Sequence, residues 1–296
     1  MNNITMAELV YLNGSFVSKE QARVSIFDHG FLYGDGLFET MRAYEGKVFC
    51  LDRHLKRLLS AIRLLRMPIS YGYRELEDAV YSTLRVNGLA EAYVRLTVWR
   101  GEGGRGLDPD SCVASNVAII AREFIPYPEG SYKRGFKAVI VDIRQNRLSP
   151  LSRLKSLNFL NNILARMEAK ARGADEGLML NDKGHITEGT VCNLFLVLQR
   201  RLLTPSLGSG VLPGITREII LEIAKSQGIK TIETEISPSR LKAAEEAFLT
   251  NSLMEVMPLT SVDGKMIGTG LPGPVTRWIS RLYQEFIRNK ISGETH

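Results

Sequence analysis

Between Asp52 and Arg66 the apolar residues Leu55, Leu58, Leu59, Ile62 and Leu65 recur every three or four positions, the spacing of one face of an amphipathic helix. The stretches around it follow a different rule. Val10–Val17 reads as a hairpin about Asn13-Gly14, and Leu37–Leu51 as two short strands about the turn Tyr44-Glu45-Gly46-Lys47. A second helix pattern covers Tyr73–Asn87, ended by Gly88, and strand patterns follow at Ala92–Trp99 and Asn116–Ala121. A chain that changes period this often folds as mixed helices and strands, so the expected class is α+β.

The chain has 296 residues, 44% of them hydrophobic, enough to bury two medium cores. The Pro- and Gly-rich run Phe124–Tyr132 is the natural break. We therefore expect a small α+β domain over residues 1–122, a linker over 123–133 and a larger domain over 134–296. In the larger domain, strand patterns at Phe136–Asp142, Leu178–Asn181, Leu194–Leu198 and Ala247–Thr250 are interspersed with helix patterns at Asn161–Arg172, Thr216–Lys225 and Val275–Arg288.

The formal net charge is +6, but the lysines and arginines are scattered and form no basic stripe interleaved with aromatics. That argues against nucleic acid as a partner and for small anionic ligands. Cys50, Cys112 and Cys192 lie far apart with no C-x-x-C pair, so neither a disulfide framework nor a thiolate metal site is indicated. His29, His54, His185 and His296 show no ligand spacing, and no metal is expected. Met1–Val10 has no basic stretch followed by an apolar run, and no apolar stretch approaches the ~18 residues of a membrane span. The expectation is a cytoplasmic protein without a membrane partner.

Five short segments could carry chemistry. In Ser152-Arg153-Leu154-Lys155-Ser156-Leu157-Asn158-Phe159 a lysine sits among apolar residues at the approach to a helix. Burial and the cation of Arg153 would lower its pKa and free its amine to attack an aldehyde; a solvated surface lysine is the plainer alternative. Glu188 lies between two strand-like pieces beside Gly189. If buried it needs a cationic partner, and a protonated pyridine nitrogen is one; otherwise it is a hairpin-turn glutamate. Pro213-Gly214 runs straight into a helix pattern through Ile215 and Thr216. Such a helix start binds phosphate through free N–H groups, or Thr216 is simply a cap. Thr250-Asn251-Ser252 follows a strand and could form a second anion-binding turn. Arg57, within the first amphipathic helix, could grip phosphate with paired hydrogen bonds or could face solvent.

In their order these segments resemble the class IV aminotransferases, and the resemblance covers nearly the whole chain. It begins at Ile26-Phe27-Asp28-His29-Gly30-Phe31-Leu32-Tyr33-Gly34-Asp35-Gly36-Leu37-Phe38-Glu39 and continues through His54-Leu55-Lys56-Arg57-Leu58. Lys155-Ser156-Leu157-Asn158, Thr187-Glu188-Gly189 with Asn193-Leu194-Phe195, and Leu212-Pro213-Gly214-Ile215-Thr216-Arg217 complete it. The resemblance implies the two-domain fold type IV architecture and pyridoxal 5′-phosphate as cofactor. It implies that Lys155 forms the covalent cofactor link and moves the proton, and that Glu188 pairs with the pyridine nitrogen. It implies that Arg57, Ile215, Thr216, Asn251 and Ser252 hold the phosphate. Tyr33, Phe38, Tyr93 and Arg95 match pocket positions of branched-chain aminotransferases, and Arg100 and Leu253 join them on the substrate side. An amino acid and a keto acid would be the substrates, and a homodimer or larger assembly the working form.

Tyr93-Val94-Arg95, Leu107-Asp108-Pro109 and Pro213-Gly214-Ile215-Thr216 look like the branched-chain type, with leucine-like substrates and 2-oxoglutarate. Thr40 stands where those enzymes usually have glycine, and Phe159 where a tyrosine is usual. Asn251-Ser252-Leu253 and Arg100-Gly101-Glu102-Gly103-Gly104-Arg105-Gly106 look more like aminodeoxychorismate lyases. The lyase and a D-amino-acid aminotransferase are therefore the alternatives within the family. A binding protein that kept the fold without activity is the alternative outside enzymes, and intact Lys155, Glu188 and Arg57 argue against it.

Overall fold

The computed structural model describes residues 8–293. Residues 1–7 and His296, on which the readings of the N-terminus and of the last histidine rested, lie outside the described residues. The chain forms two compact units, one running through Ile125 and including Lys155–Asn158, the other made of Pro126–Leu154 and the chain from Phe159 onward.

The first unit is built on β1 (Leu9–Leu12), β2 (Ser15–Ser18), β3 (Gly36–Tyr44), β4 (Lys47–Val48), β5 (Ala92–Arg100) and β6 (Ser115–Glu123), with helices α1 (His29–Tyr33), α2 (Leu51–Leu64) and α3 (Tyr73–Val86). Its sheet is antiparallel throughout, in the order β2-β1-β6-β5-β3-β4. The helix read from the leucine spacing is α2, and its buried face carries Leu51, His54, Leu55, Leu58, Ala61 and Ile62. β5 alternates cleanly, with Val94, Leu96 and Val98 fully buried and Tyr93, Arg95 and Thr97 partly exposed. The β3–β5 register sets Phe38 opposite Thr97 and Glu39 opposite Leu96. Side chains alternate across a strand, so Phe38 and Arg95 share one sheet face while Glu39 shares the other with Leu96 and Val94. That single-residue offset decides which groups can meet in the site.

The second unit contains β7 (Phe136–Gln145), β8 (Glu176–Asn181), β9 (Ile186–Gly189), β10 (Asn193–Leu198), β11 (Arg201–Pro205), β12 (Thr231–Thr234), β13 (Glu246–Asn251), β14 (Glu255–Val262) and β15 (Lys265–Met266). Its helices are α4 (Glu129–Arg134), α5 (Leu160–Ala171), α6 (Ile215–Ser226), α7 (Pro238–Lys242) and α8 (Pro274–Ser292). The sheet order is β12-β11-β10-β13-β14-β7-β8-β9, with β15 on β14. It is mixed: β7 runs parallel to both β8 and β14, β11 parallel to β12, and the other pairs are antiparallel. β8 is buried at every position and β10 at all but its last. Both faces of such strands are covered, which is why they read as plain apolar runs without alternation. The core between them includes Leu178, Leu194, Leu196, Leu249 and Met257. The Pro- and Gly-rich run after Phe124 ends in α4, on whose exposed face Lys133 and Glu129 pair one turn apart.

Candidate active site

In the first unit three ionisable side chains converge. Glu39 points from β3 toward α2 and is completely buried. Its carboxylate accepts from Arg57 Nε at 2.8 Å and Nη2 at 2.6 Å, and it meets His54 Nδ1 at 2.7 Å. His54 and Arg57 are three positions apart, so one face of α2 presents both. Burial alone would push the Glu39 carboxyl up, but the Arg57 charge, with hydrogen bonds from His54 and Arg57, holds it at about 2. Burial lowers the His54 pKa despite the Glu39 partner, and the nearby Arg57 and Lys155 charges add to the lowering. His54 is therefore neutral near pH 7 and donates Nδ1–H, and the ion pair proper is Glu39 with Arg57.

Lys155 lies on the approach to α5, which begins at Leu160. Residues Lys155–Asn158 run extended along β3: Phe38 N–H donates to the Lys155 carbonyl at 2.9 Å, Leu157 N–H to Gly36 at 2.9 Å, and Ser156 bridges Leu37. Gly36 permits this approach, because a Cβ there would lie 2.6 Å from the Leu157 side chain and 2.8 Å from the Val98 carbonyl. The Lys155 ammonium lies 4.5 Å from the Phe38 ring centre, and the Arg95 guanidinium 3.8 Å from the same ring. Two cations on one π-face donor give Phe38 a defined electrostatic place as well as an apolar one. Tyr93 is half-buried, and Tyr33, 41% exposed, packs edge-on against His29. Arg100 is 3% exposed. Its guanidinium donates to Asp35 at 2.7 Å and to the carbonyls of Leu65 and Arg66, so it clamps the end of β5 to the chain after α2.

In the second unit Glu188, 7% exposed, lies near the end of β9. Its Oε2 accepts from Asn193 Nδ2 at 3.2 Å and from the Leu212 N–H at 3.1 Å. From Leu212 the chain turns through Pro213 and Gly214 into α6, whose first residues are Ile215 and Thr216 and whose start carries no side-chain cap. The N–H groups of a helix's first turn lack intrahelical acceptors, so this start could hold an anion. Thr216 Oγ1 lies 3.5 Å from Tyr283 Oη. Asn251 builds the turn after β13: its Oδ1 accepts from the N–H groups of Leu253 and Met254, and its Nδ2 donates to the Val191 carbonyl. Ser252 and Leu253 are half-buried in that turn. Just before it, Thr250 Oγ1 is buried with no partner among the described residues.

Glu39, His54, Asn193 and Glu176 bear on this machinery without having been singled out by spacing. Glu176 accepts from Thr190 N–H and Oγ1 at 3.1 and 2.6 Å and so fixes the turn between β9 and β10. For the two glutamates the available signal was a carboxylate beside apolar residues within a strand or at its start, as at Leu37-Phe38-Glu39 and Glu176-Gly177-Leu178. Among the described residues no group of three or more His, Cys, Asp or Glu is placed to hold a metal.

Comparison with known proteins gives the family. The family model described as amino-transferase class IV matches residues 36–262. The branched-chain-amino-acid aminotransferase of Escherichia coli K12 is 34% identical over 303 aligned positions, covering 98% of this chain and 94% of that protein. The aminodeoxychorismate lyase of Bacillus subtilis is 33% identical, covering 96% of each chain. The crystal structure of the branched-chain aminotransferase of the archaeon Thermoproteus uzoniensis with norvaline superposes with a TM-score of 0.88 at 34% identity, covering 96% of each chain. With a family match spanning most of its length and relatives of this identity on both counts, the chain belongs to the class IV aminotransferases and is an enzyme of that family.

Proposed function

We propose that the protein transfers the amino group of a branched-chain L-amino acid to 2-oxoglutarate, with pyridoxal 5′-phosphate as its cofactor. The observation that carries the reading is Lys155, pinned to the edge of β3 with its Nζ 4.5 Å from the Phe38 ring centre. The donor set fits the cofactor. A phosphate calls for uncapped N–H groups and hydroxyls, which the start of α6, Thr216 and the unsatisfied Thr250 supply. A pyridinium nitrogen calls for a buried carboxylate, and Glu188 meets that need.

When bound, the cofactor withdraws electrons from the substrate's α-carbon so that its C–H bond can ionise. Lys155 Nζ takes that proton and returns it during transfer. Glu188 keeps a proton on the ring nitrogen, and Asn193 and Leu212 keep the Glu188 carboxylate aimed. Arg57, Ile215, Thr216, Asn251 and Ser252 bind the phosphate and fix the ring's orientation. Tyr33, Phe38, Tyr93 and Leu253 form the apolar side of the substrate pocket. Arg95, restrained by the Phe38 ring, offers its guanidinium to a carboxylate. Arg100 supports the strand end that carries Tyr93 and Arg95.

The Escherichia coli and Thermoproteus uzoniensis relatives, branched-chain aminotransferases by name, support the substrate class. Aminodeoxychorismate lyase is the second reading, favoured by the Asn251-Ser252-Leu253 turn and by the Bacillus subtilis relative. A homodimer or larger assembly belongs to the proposal, supported by Ile26, Phe27, Phe31 and Leu32, which are 50–64% exposed in one stretch. A cytoplasmic location belongs to it too; among the described residues no helix is long and apolar enough to cross a membrane. The test is a half-reaction without keto acid, following the visible band of the bound cofactor. L-leucine should bleach it and D-alanine should not. A band that neither amino acid changes would move the weight to the lyase.

A further inference from the structure

Resting on the reading of Glu188 and of the α6 start given above, we infer that Asn193 is a positioning residue that ties the ring-nitrogen carboxylate to the phosphate seat. Its Nδ2 donates twice, to Glu188 Oε2 at 3.2 Å and to the Leu212 carbonyl at 3.0 Å. Leu212 in turn donates its N–H to the same Glu188 oxygen at 3.1 Å, closing a ring of three hydrogen bonds. On its other side Asn193 Oδ1 rests against Gly214, the N-cap residue just before α6: a Cβ on Gly214 would lie 2.0 Å from that oxygen. Asn193 also pairs across the sheet with Thr250, the residue before the Asn251-Ser252 turn. One side chain, 6% exposed, thus meets Glu188, Leu212 and Gly214, while its backbone pairs with the strand that leads into the Asn251-Ser252 turn.

An amide is suited to the place. Both N–H bonds of one nitrogen are used on two acceptors that belong to different elements, and a carbonyl oxygen is left to fill the space that glycine leaves open. Leucine would occupy similar volume but take one donor from the Glu188 carboxylate and one from the Leu212 carbonyl, and aspartate would set a second carboxylate beside Glu188. The arrangement fixes the separation between Glu188 and the first turn of α6, so the cofactor's two ends are held at one spacing.

Two quantities test this on the purified protein. The first is the phosphate advantage, the ratio of Kd for pyridoxal to Kd for pyridoxal 5′-phosphate. The second is the pH midpoint of the bound cofactor's visible band. A residue that only supports the fold weakens both ligands alike and moves neither quantity. Asn193→Ala should lower the phosphate advantage about tenfold, or about 1.4 kcal/mol, and shift the band's midpoint as well. Asn193→Asp keeps the shape, loses the paired donation, and serves for the same two readings should the alanine variant not fold. A change in only one quantity, or in neither, overturns the tie. Glu188→Gln and Thr216→Val separate this from the underlying reading. If the first leaves the midpoint, or the second leaves the phosphate advantage, at the wild-type value, the cofactor assignment itself has failed. If both controls move and the Asn193 variants do not, only the tie has failed.

Discussion

Replacing Glu39 by glutamine changes one oxygen to an amide and removes one charge from a fully buried carboxylate. Carrying that carboxyl from an ordinary 4.5 to about 2 corresponds to roughly 3 kcal/mol of folding stability at about 1.36 kcal/mol per tenfold change in the proton equilibrium. An independent route gives a similar size, since breaking a buried ion pair by removing one partner costs about 3–5 kcal/mol. The Arg57 side chain is 17% exposed and regains some hydration once orphaned, which favours the lower end of that range. The expected loss for Glu39→Gln is therefore about 3 kcal/mol near pH 7, a large share of the ~5–15 kcal/mol that holds a typical domain folded. The sign with pH follows from the lowered pKa. The Glu39 contribution is complete above about 4.5, the unfolded value, and is lost as pH falls through about 2. Urea unfolding should be followed in a Trp278→Phe background, so that Trp99 reports on the first unit alone. The gap between parent and Glu39→Gln should be near 3 kcal/mol at neutral pH, and should close as pH approaches 2. A gap under about 1 kcal/mol, or one that persists unchanged into acid, would refute the ion-pair argument.

Lys155→Ala should abolish the covalent cofactor link, so that borohydride fixes no cofactor to the chain; fixation in that variant would assign the role to another amine. Glu188→Gln should still bind cofactor but slow single-turnover amine transfer, and an unchanged rate would remove Glu188 from the chemistry. His54, whose pKa burial lowers, should make the fold lose stability as pH falls below about 6.5, the ordinary histidine value, and His54→Gln should remove that part of the slope in acid titrations. Cys192 is buried, and burial together with the Glu176 carboxylate pushes its thiol well up, so a thiol reagent at pH 8 should label it only after urea unfolds the second unit; fast native labelling would contradict that burial.

Much of this architecture was legible in the sequence where one side of an element meets water. The leucine spacing of α2 and the alternation of β5 each follow from a half-buried element, and both are visible in the letters. The misses have the same physical origin in reverse. β9, β11 and β14 are short or buried on both faces, so no period marks them. α1 is five residues long and starts without a side-chain cap. The Lys155 segment leads into α5, as Phe159 and the apolar residues after it indicate. The hydrogen bonds that also lay it along β3 join residues more than a hundred positions apart, and no local pattern encodes them. Arg57 could be named from its motif, but its partner Glu39 could not, because only the β3 register shows that this carboxylate faces α2 and not the Phe38 side. Arg100 shows the converse: a guanidinium in a Gly-rich run resembles a ligand-binding residue until its donors are found on Asp35, Leu65 and Arg66.

The central claim is amine transfer from a branched-chain L-amino acid to a keto acid, and an isotope measurement tests it most directly. The holoenzyme would be given L-leucine labelled at its amine nitrogen together with unlabelled 2-oxoglutarate, and the products analysed by mass. The account predicts that the label appears in L-glutamate in step with formation of the leucine-derived keto acid. Label that stays in leucine, while the same preparation forms 4-aminobenzoate and pyruvate from aminodeoxychorismate, would contradict it and establish the lyase in its place.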